Sequence, residues 1–320
     1  MVNEELLYKA GYGKRLLDPS REYDVFISAF NLSDRVAHTF SKINALRKYW
    51  IIHNEYNFDA SELPDAGIML RSNADQESEF CIDVLNSLIP AIDNSTRLCV
   101  DITGFMRPHI LFLIKYFKLV GLSKFDLVYT EPSHYSRRAE TVFSSNVLEV
   151  RQINGYEGVH SVDTSNDILL IGAGYDHDLV SHIIANKSGA RLIQLLSLPS
   201  LSADMYQESL IRLQRIADVP NRLPDDQQAY ASANDPYSTY FVLDETIRRI
   251  RERSPQTANI YLSPLATKPQ AVGFALYYLD NLENQAASII FPLTKSYSKE
   301  TSSGVGRAWR YEIEFDAKGA

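Results

Sequence analysis

The feature that most constrains the fold is an alternation of strand-like and helix-like segments that starts near Tyr23 and restarts near Asp167. In the first half, the strand-like runs rich in β-branched and aromatic residues are 23–30, 49–53, 98–102 and 125–130. The segments between them carry apolar residues at helical spacing. This β-α-β order predicts a mostly parallel sheet with helices on both faces, and its restart predicts a second unit of the same kind.

Matched positions in the two halves indicate an internal repeat. Val25–His38 aligns with Leu169–His182, and the alanines, aspartates, valines and histidines within these segments coincide. Further along, and in the same order, Arg107–Pro108 aligns with Lys268–Pro269. Such self-similarity is the sequence signature of a repeated supersecondary unit. The predicted fold is therefore α/β, with two tandem Rossmann-like units that have mostly parallel sheets and are related by internal duplication.

Composition shifts suggest where the halves divide. Serines and acids at 161–166 favour a boundary between an N-terminal half, 1–160, and a C-terminal half, 161–320. In the second half, 219–237 is rich in Pro, Asn, Asp and Gln, which predicts a long exposed loop or lid. The alternating tail 306–315 predicts a final strand, for which an antiparallel position at a sheet edge is one option.

The overall charge limits the partners. The 320 residues are 45% hydrophobic and carry a net charge of −8, so bulk binding to duplex nucleic acid or to an anionic membrane is not expected. No apolar run reaches the roughly 18 residues of a membrane span, and the first residues are too polar for a signal peptide. Cys81 and Cys99 lie in apolar contexts, which indicates reduced thiols. We therefore expect a cytoplasmic protein.

Two strand–turn–helix segments, Leu98–Pro108 and Asn259–Pro269, resemble each other and could hold an anion. A helix that opens at the end of a strand presents backbone N–H groups and a positive dipole end. In both segments a cation stands directly before the proline that opens the helix. The predicted ligand-binding residues of these segments are Thr103, Gly104, Arg107, Ser263, Thr267 and Lys268. Solvated or salt-bridged surface cations fit the same pattern, so both interpretations stay open.

A glycine pair follows the first strand of the second half, in the sequence Gly172-Ala-Gly174-Tyr175. Glycines allow a close backbone approach, so Gly172, Gly174 and Tyr175 are further candidates for ligand binding. The third glycine of the dinucleotide fingerprint is missing, and the chain contains no GxxxxGK[ST] motif. A tight turn is the alternative.

Three carboxylates are candidates for an acid–base or nucleophilic role in catalysis: Glu131 and Asp101 at predicted strand ends, and Asp176 shortly after the glycine pair. Helix caps and salt bridges explain them equally well. The histidines His38 and His182 fit core or capping positions, and no cluster with metal-ligand spacing is evident. The sequence predicts no metal and identifies no cofactor.

The turn from Asp101 to Arg107 resembles the CARF nucleotide-sensing domains of prokaryotic antiviral systems, which Thr103, Gly104 and Arg107 match. Phe105 and Met106 depart from the small residues expected there. The later segment from Ser263 to Gly273 is similar to the related SAVED domains, which are two fused CARF-like halves.

The resemblance implies a sensor or regulatory subunit for a nucleotide-type anionic ligand. It also implies a role in phage defence, with a separate effector protein as a further partner. An enzyme acting on a nucleotide or nucleoside in a cleft between the halves is one alternative. A non-catalytic scaffold for the effector is another.

Overall fold

The computed structural model describes residues 13–86, 88, 92–135, 144–174, 176–202, 205–213, 216, 224–297 and 302–315. The strands in this part of the chain are β1 (Lys14–Leu16), β2 (Glu22–Ala29), β3 (Asn44–Ile51), β4 (Ile68–Leu70), β5 (Leu98–Asp101), β6 (Lys124–Thr130), β7 (His134–Tyr135), β8 (Ser144–Gln152), β9 (Ile168–Gly172), β10 (Arg191–Ser197), β11 (Gln228–Ala231), β12 (Ile260–Pro264), β13 (Ala287–Tyr297), β14 (Ser302–Ser303) and β15 (Ala308–Glu314). The α-helices are α1 (Asp34–Lys42), α2 (Glu77–Asn86), α3 (Arg107–Leu119), α4 (His177–Asn186), α5 (Met205–Leu213), α6 (Pro236–Arg253) and α7 (Lys268–Asn281).

The chain forms two compact units. The first unit comprises Met1–Ser145 together with Lys295–Ala320, and the second comprises Asn146–Thr294. The boundary predicted at residue 160 therefore differs from the observed division at two points. β8 already belongs to the sheet of the second unit, and the C-terminal strand β15 returns to the sheet of the first unit. Backbone hydrogen bonding with distant strands decided both assignments, and composition carries no signal for it.

The first unit is built on a seven-stranded sheet in the order β1-β15-β6-β5-β2-β3-β4. The five strands from β6 to β4 pair in parallel, and β15 pairs antiparallel with β6 and with β1. β1 covers the outer side of β15. The tail is therefore antiparallel, but it lies one position inside the sheet edge.

The second unit contains a six-stranded sheet in the order β11-β10-β9-β12-β13-β8. Its strands from β11 to β13 are all parallel. In chain order, the parallel strands of both units follow the sequence 3-2-1-4-5, with the first strand at the centre. The predicted α/β fold with two Rossmann-like, mostly parallel units is thus confirmed, and the shared strand order is what an internal duplication requires.

Apolar helices and central strands form the cores. On α3, the side chains of Ile110, Leu111, Leu113, Ile114 and Phe117 are all fully buried. α7 is buried along almost its whole length and on all sides, because it packs on the sheet and against α6. A helix that is apolar all round belongs in an interior. Each of these two helices follows the fourth strand of its unit.

The predicted lid at 219–237 was wrong for the part that the structure describes. From residue 224 onward, this segment contains a 3-10 helix, Asp225–Gln227, the strand β11 and the start of α6. β11 pairs in parallel with β10 and buries Ala229 and Ala231 while Tyr230 faces outward. Its alternation is short and built on small residues, so the sequence pattern did not indicate a strand. Residues 219–223 lie outside the described part of the chain.

Candidate functional site

In both units, the strand order reverses between the first and the fourth strand. Ligands of open α/β sheets usually bind beyond the carboxyl ends of the strands at this reversal, which we call the switch point. In the first unit, the switch point lies between β2 and β5, and in the second between β9 and β12. The loops after the fourth strands, residues 102–106 and 265–267, contain or border most of the predicted ligand-binding residues.

In the first unit, Asp101 and Thr103 fasten the strand ends together. The Asp101 carboxylate accepts hydrogen bonds from the Ser28 hydroxyl (3.0 Å) and from the Thr103 backbone N–H (2.9 Å). The Thr103 hydroxyl oxygen accepts the backbone N–H of Thr130 at 3.0 Å. Asp101 and Thr103 are both fully buried. These bonds join three adjacent strands, so they define structural roles for the two side chains.

Gly104 allows a contact between two backbone segments. A Cβ added at this residue would overlap the carbonyl oxygen of Ala29, at the end of β2, far inside van der Waals contact. The Tyr56 hydroxyl donates a hydrogen bond to the Gly104 carbonyl oxygen at 3.1 Å. The close approach that this glycine permits is therefore to its own sheet, which is a sufficient reason for its presence.

Arg107 is the first residue of α3, and Pro108 is the second. The side chain of the N-cap residue, Met106, makes no capping hydrogen bond. Arg107 is partly exposed, whereas Met106 is buried. The start of this helix therefore combines a cation at its surface with an N-cap that cannot act through a side-chain oxygen.

The equivalent helix of the second unit has a complete side-chain cap. The Thr267 hydroxyl accepts the Gln270 backbone N–H at 3.3 Å, and the Gln270 amide oxygen accepts the Thr267 backbone N–H at 3.4 Å. The Thr267 hydroxyl also donates to the carbonyl oxygen of Ala233. This capping box engages two N–H groups at the helix start. Lys268 is again the first helical residue and partly exposed.

Gly172 and Gly174 also support packing. A Cβ added at Gly174 would overlap the Leu265 carbonyl oxygen, and one added at Gly172 would lie 3.1 Å from the Phe274 ring. Ser263 is fully buried in β12, and its Oγ has no hydrogen-bond partner among the described residues. Tyr175 lies outside the described residues. The loop after β9 therefore contacts the loop after β12 through the backbone, as the equivalent loops do in the first unit.

The two other catalytic candidates, Glu131 and Asp176, also form hydrogen bonds that stabilise the fold. A Glu131 carboxylate oxygen accepts the indole N–H of Trp309 at 2.8 Å, which connects the end of β6 to β15. Asp176 is the N-cap of α4 and accepts the Leu179 backbone N–H at 3.3 Å. Asp176 thus caps a helix, which is one of the alternatives to catalysis that the sequence left open, whereas Glu131 links two strands through an indole N–H.

A group of potential metal ligands, His53, Glu55 and His109, escaped the sequence analysis. One ligand atom from each residue lies within 4.8 Å of the other two. His53 follows the end of β3, and His109 lies in the first turn of α3, so both are near the carboxyl ends of the parallel strands. The sequence did contain a signal for this group of ligands. His53-Asn-Glu55 comes shortly after a strand, and His109 directly follows Pro108.

Burial controls the electrostatics of this group. Desolvation lowers the pKa of His109, while the carboxylates of Glu55 and Glu77 act in the opposite direction. Burial likewise raises the pKa of the Cys81 thiol, whose sulfur lies 3.9 Å from the His109 carbonyl oxygen. Acidic groups therefore surround a largely buried imidazole.

The chain matches no protein-family model, and no curated protein is similar to it at a significant level. Among the described residues, no helix combines the length and the apolar character needed to cross a bilayer.

Proposed function

We propose that the protein is a cytoplasmic sensor or regulatory subunit that binds a nucleotide-type anionic ligand at the start of α3. The observation that carries this proposal is the pairing of a partly exposed Arg107 with an N-cap residue whose side chain makes no capping bond. Backbone N–H groups and the dipole at a helix start attract an anion. A cation at this position opposes the dipole, and a bound phosphate would interact favourably with both.

The start of α7 is a second, weaker binding point. Lys268 has the same position in its unit as Arg107, which supports a shared role for the two cations. However, the capping box of Thr267 and Gln270 already engages N–H groups that a phosphate would need. Lys268 would therefore contribute mainly its charge.

The resemblance to CARF and SAVED domains supports a role in phage defence, with a separate effector protein as partner. The bonds of Asp101, Glu131 and Asp176 to their own chain favour binding over catalysis, because each carboxylate already holds a structural element. A sensor needs only a ligand-dependent change in stability or partner affinity. The proposal therefore requires no catalytic group.

The test begins with a mixture of mononucleotides, cyclic nucleotides and short oligonucleotides. Purified protein is incubated with the mixture and desalted, and the retained molecules and any products are identified by mass spectrometry. Retention of a nucleotide without conversion is the expected result. Conversion would replace the sensor with an enzyme, and the absence of both would contradict the proposal in favour of a scaffold.

The retained nucleotide is then titrated calorimetrically into wild type and Arg107→Ala. One charge-assisted hydrogen bond contributes about 1.5–3 kcal/mol, so the affinity should fall about ten- to a hundredfold. Lys118→Ala is the matched control, because Lys118 lies in the last turn of the same helix. Equal affinity of Arg107→Ala and wild type would exclude the start of α3 as the binding point.

A further inference from the structure

The group of His53, Glu55 and His109 is assembled from two segments of the first unit. His53 is the N-cap of a 3-10 helix, Asn54–Tyr56, which contains Glu55, and His109 projects from α3. The two imidazole rings have their centroids 4.4 Å apart at 67°. His53 and Glu55 are close because they share one short segment, and tertiary packing brings His109 to them.

Aromatic neighbours fix the rings. The His53 ring is stacked on Phe80 with centroids 5.1 Å apart and contacts the edge of Phe105 at 5.4 Å. His109 in turn meets Phe80 edge-on at 5.0 Å. Imidazoles held in this way lose little further rotational freedom when they bind a ligand, which favours a preorganised site.

The distances are close to those of a coordination sphere. His109 Nε2 lies 3.9 Å from a carboxylate oxygen of Glu55. Around a tetrahedral zinc ion with bonds of about 2.0–2.2 Å, donor atoms are roughly 3.3–3.5 Å apart. The observed group is wider, with all ligand atoms within 4.8 Å of one another, so a bound ion would have to draw in the Glu55 side chain, which is 25% exposed.

Other polar atoms close to these ligands are buried. His109 Nδ1 is buried and has no hydrogen-bond partner in the described part of the chain. Glu77, a fourth polar group nearby, is only 2% exposed and interacts electrostatically with His109.

We propose that His53, Glu55 and His109 bind one divalent transition-metal ion, for which zinc fits best. Two imidazoles and one carboxylate form a ligand set that suits zinc and similar ions. Three protein ligands leave at least one coordination position open for water or for an anionic oxygen. The side chains of this site differ from Arg107, the cation of the anion site proposed at the start of α3, so variants of Glu55 and of Arg107 test the two proposals separately.

The experiment uses the full chain without a polyhistidine tag, stripped with EDTA and titrated with Zn²⁺ against a chromophoric chelator. One tightly bound ion per chain is expected. Glu55→Gln and His109→Ala should each weaken Zn²⁺ binding at least about tenfold, since loss of even a supporting residue typically costs 10–100-fold. His38→Ala is the matched control, because His38 is an exposed histidine of the same unit.

Co²⁺ provides an independent readout, since a tetrahedral site gives it visible absorption bands that should disappear in Glu55→Gln. This variant keeps the shape of a partly exposed side chain, so it tests the proposal even if His109→Ala does not fold. The proposal fails if wild type binds no Zn²⁺ or Co²⁺ stoichiometrically. It also fails if Glu55→Gln and His38→Ala bind Zn²⁺ equally well.

Discussion

The two switch points have the same topology but begin the helix after the fourth strand in different ways. With Ala29 and Ala173 as matched positions, Ser28 corresponds to Gly172. Ser28 pairs with Asp101, and α3 starts six residues later, whereas Gly172 pairs with Pro264, and α7 starts four residues later. Relative to the sheet, the first unit thus has two extra loop residues.

The extra length changes what the helix start can do. The longer loop buries Phe105 and Met106 and leaves α3 with a methionine as its N-cap. The shorter loop brings Thr267 to the N-cap of α7, where it forms a capping box. One helix start is therefore capped by a side chain of its own, and the other, where we propose that an anion binds, is not. A two-residue difference in one loop thus accompanies a different start of the equivalent helix.

The largest expected effect tests the feature that both switch points share. Gly104→Ala would drive a methyl group into the Ala29 carbonyl oxygen, and Gly174→Ala into that of Leu265, with the deeper overlap at Gly104. We expect Gly104→Ala to lower the free energy of unfolding by about 4 kcal/mol or more, and Gly174→Ala by somewhat less. Urea denaturation followed by circular dichroism measures both.

Gly189→Ala provides a contrast in which the added methyl group meets no other atom. Gly189 has a φ of 95°, but a Cβ there would meet no atom within 4 Å. Its replacement should cost only about 1–2 kcal/mol. If all three variants lost the same stability, steric contact between the loops would not be the reason for the glycines at the switch points.

A medium effect tests the capping difference. Thr267→Ala removes the cap of α7 and the bond to Ala233, so the free energy of unfolding should fall by about 1–2 kcal/mol. Thr267→Ser keeps the hydroxyl and should retain most of the stability. Thermal melts of both variants provide the measurement, and equal losses would show that the hydroxyl does not stabilise the helix start.

The smallest expected effect concerns the difference between the two cations, Lys268 and Arg107, in nucleotide binding. Lys268→Ala should change stability by less than about 0.5 kcal/mol, because a partly exposed surface cation contributes little to folding. It should weaken binding of the retained nucleotide only about threefold, or about 0.65 kcal/mol. The helix that begins at Arg107 has no side-chain cap, so Arg107→Ala is expected to lose far more affinity for the nucleotide. Calorimetric titration of both variants measures this difference. A larger loss of affinity in Lys268→Ala than in Arg107→Ala would contradict the comparison.

The sequence predicted the elements with strong periodicity and missed the short edge strands. The central strands β2 and β9 and the helices α3 and α7 have long apolar patterns, and all of them were found. β4 and β11 are the third strands of their units and have only three and four residues. At an edge, few side chains are buried, so the alternation that marks a strand is too short to detect.

For the candidate site, the sequence identified the helix starts but not the roles of their residues. Arg107 and Lys268 are equivalent in the fold, as the alignment predicted. The roles of Gly104 and Gly174, in contrast, depend on carbonyl oxygens of neighbouring segments. A glycine that allows a ligand to approach the backbone closely cannot be told apart by its sequence context from one that allows a neighbouring strand to do so.

The sequence by itself determined the fold class, the repeat and the two cation–proline helix starts, because local periodicity and proline geometry are encoded within short segments. Only the tertiary structure decided that β15 returns to the first unit and that His109 lies beside His53 and Glu55. These features depend on contacts between residues far apart in the chain. The physical reason is that hydrogen-bond partners and ligand clusters are defined by distance in space, which periodicity within one segment does not contain.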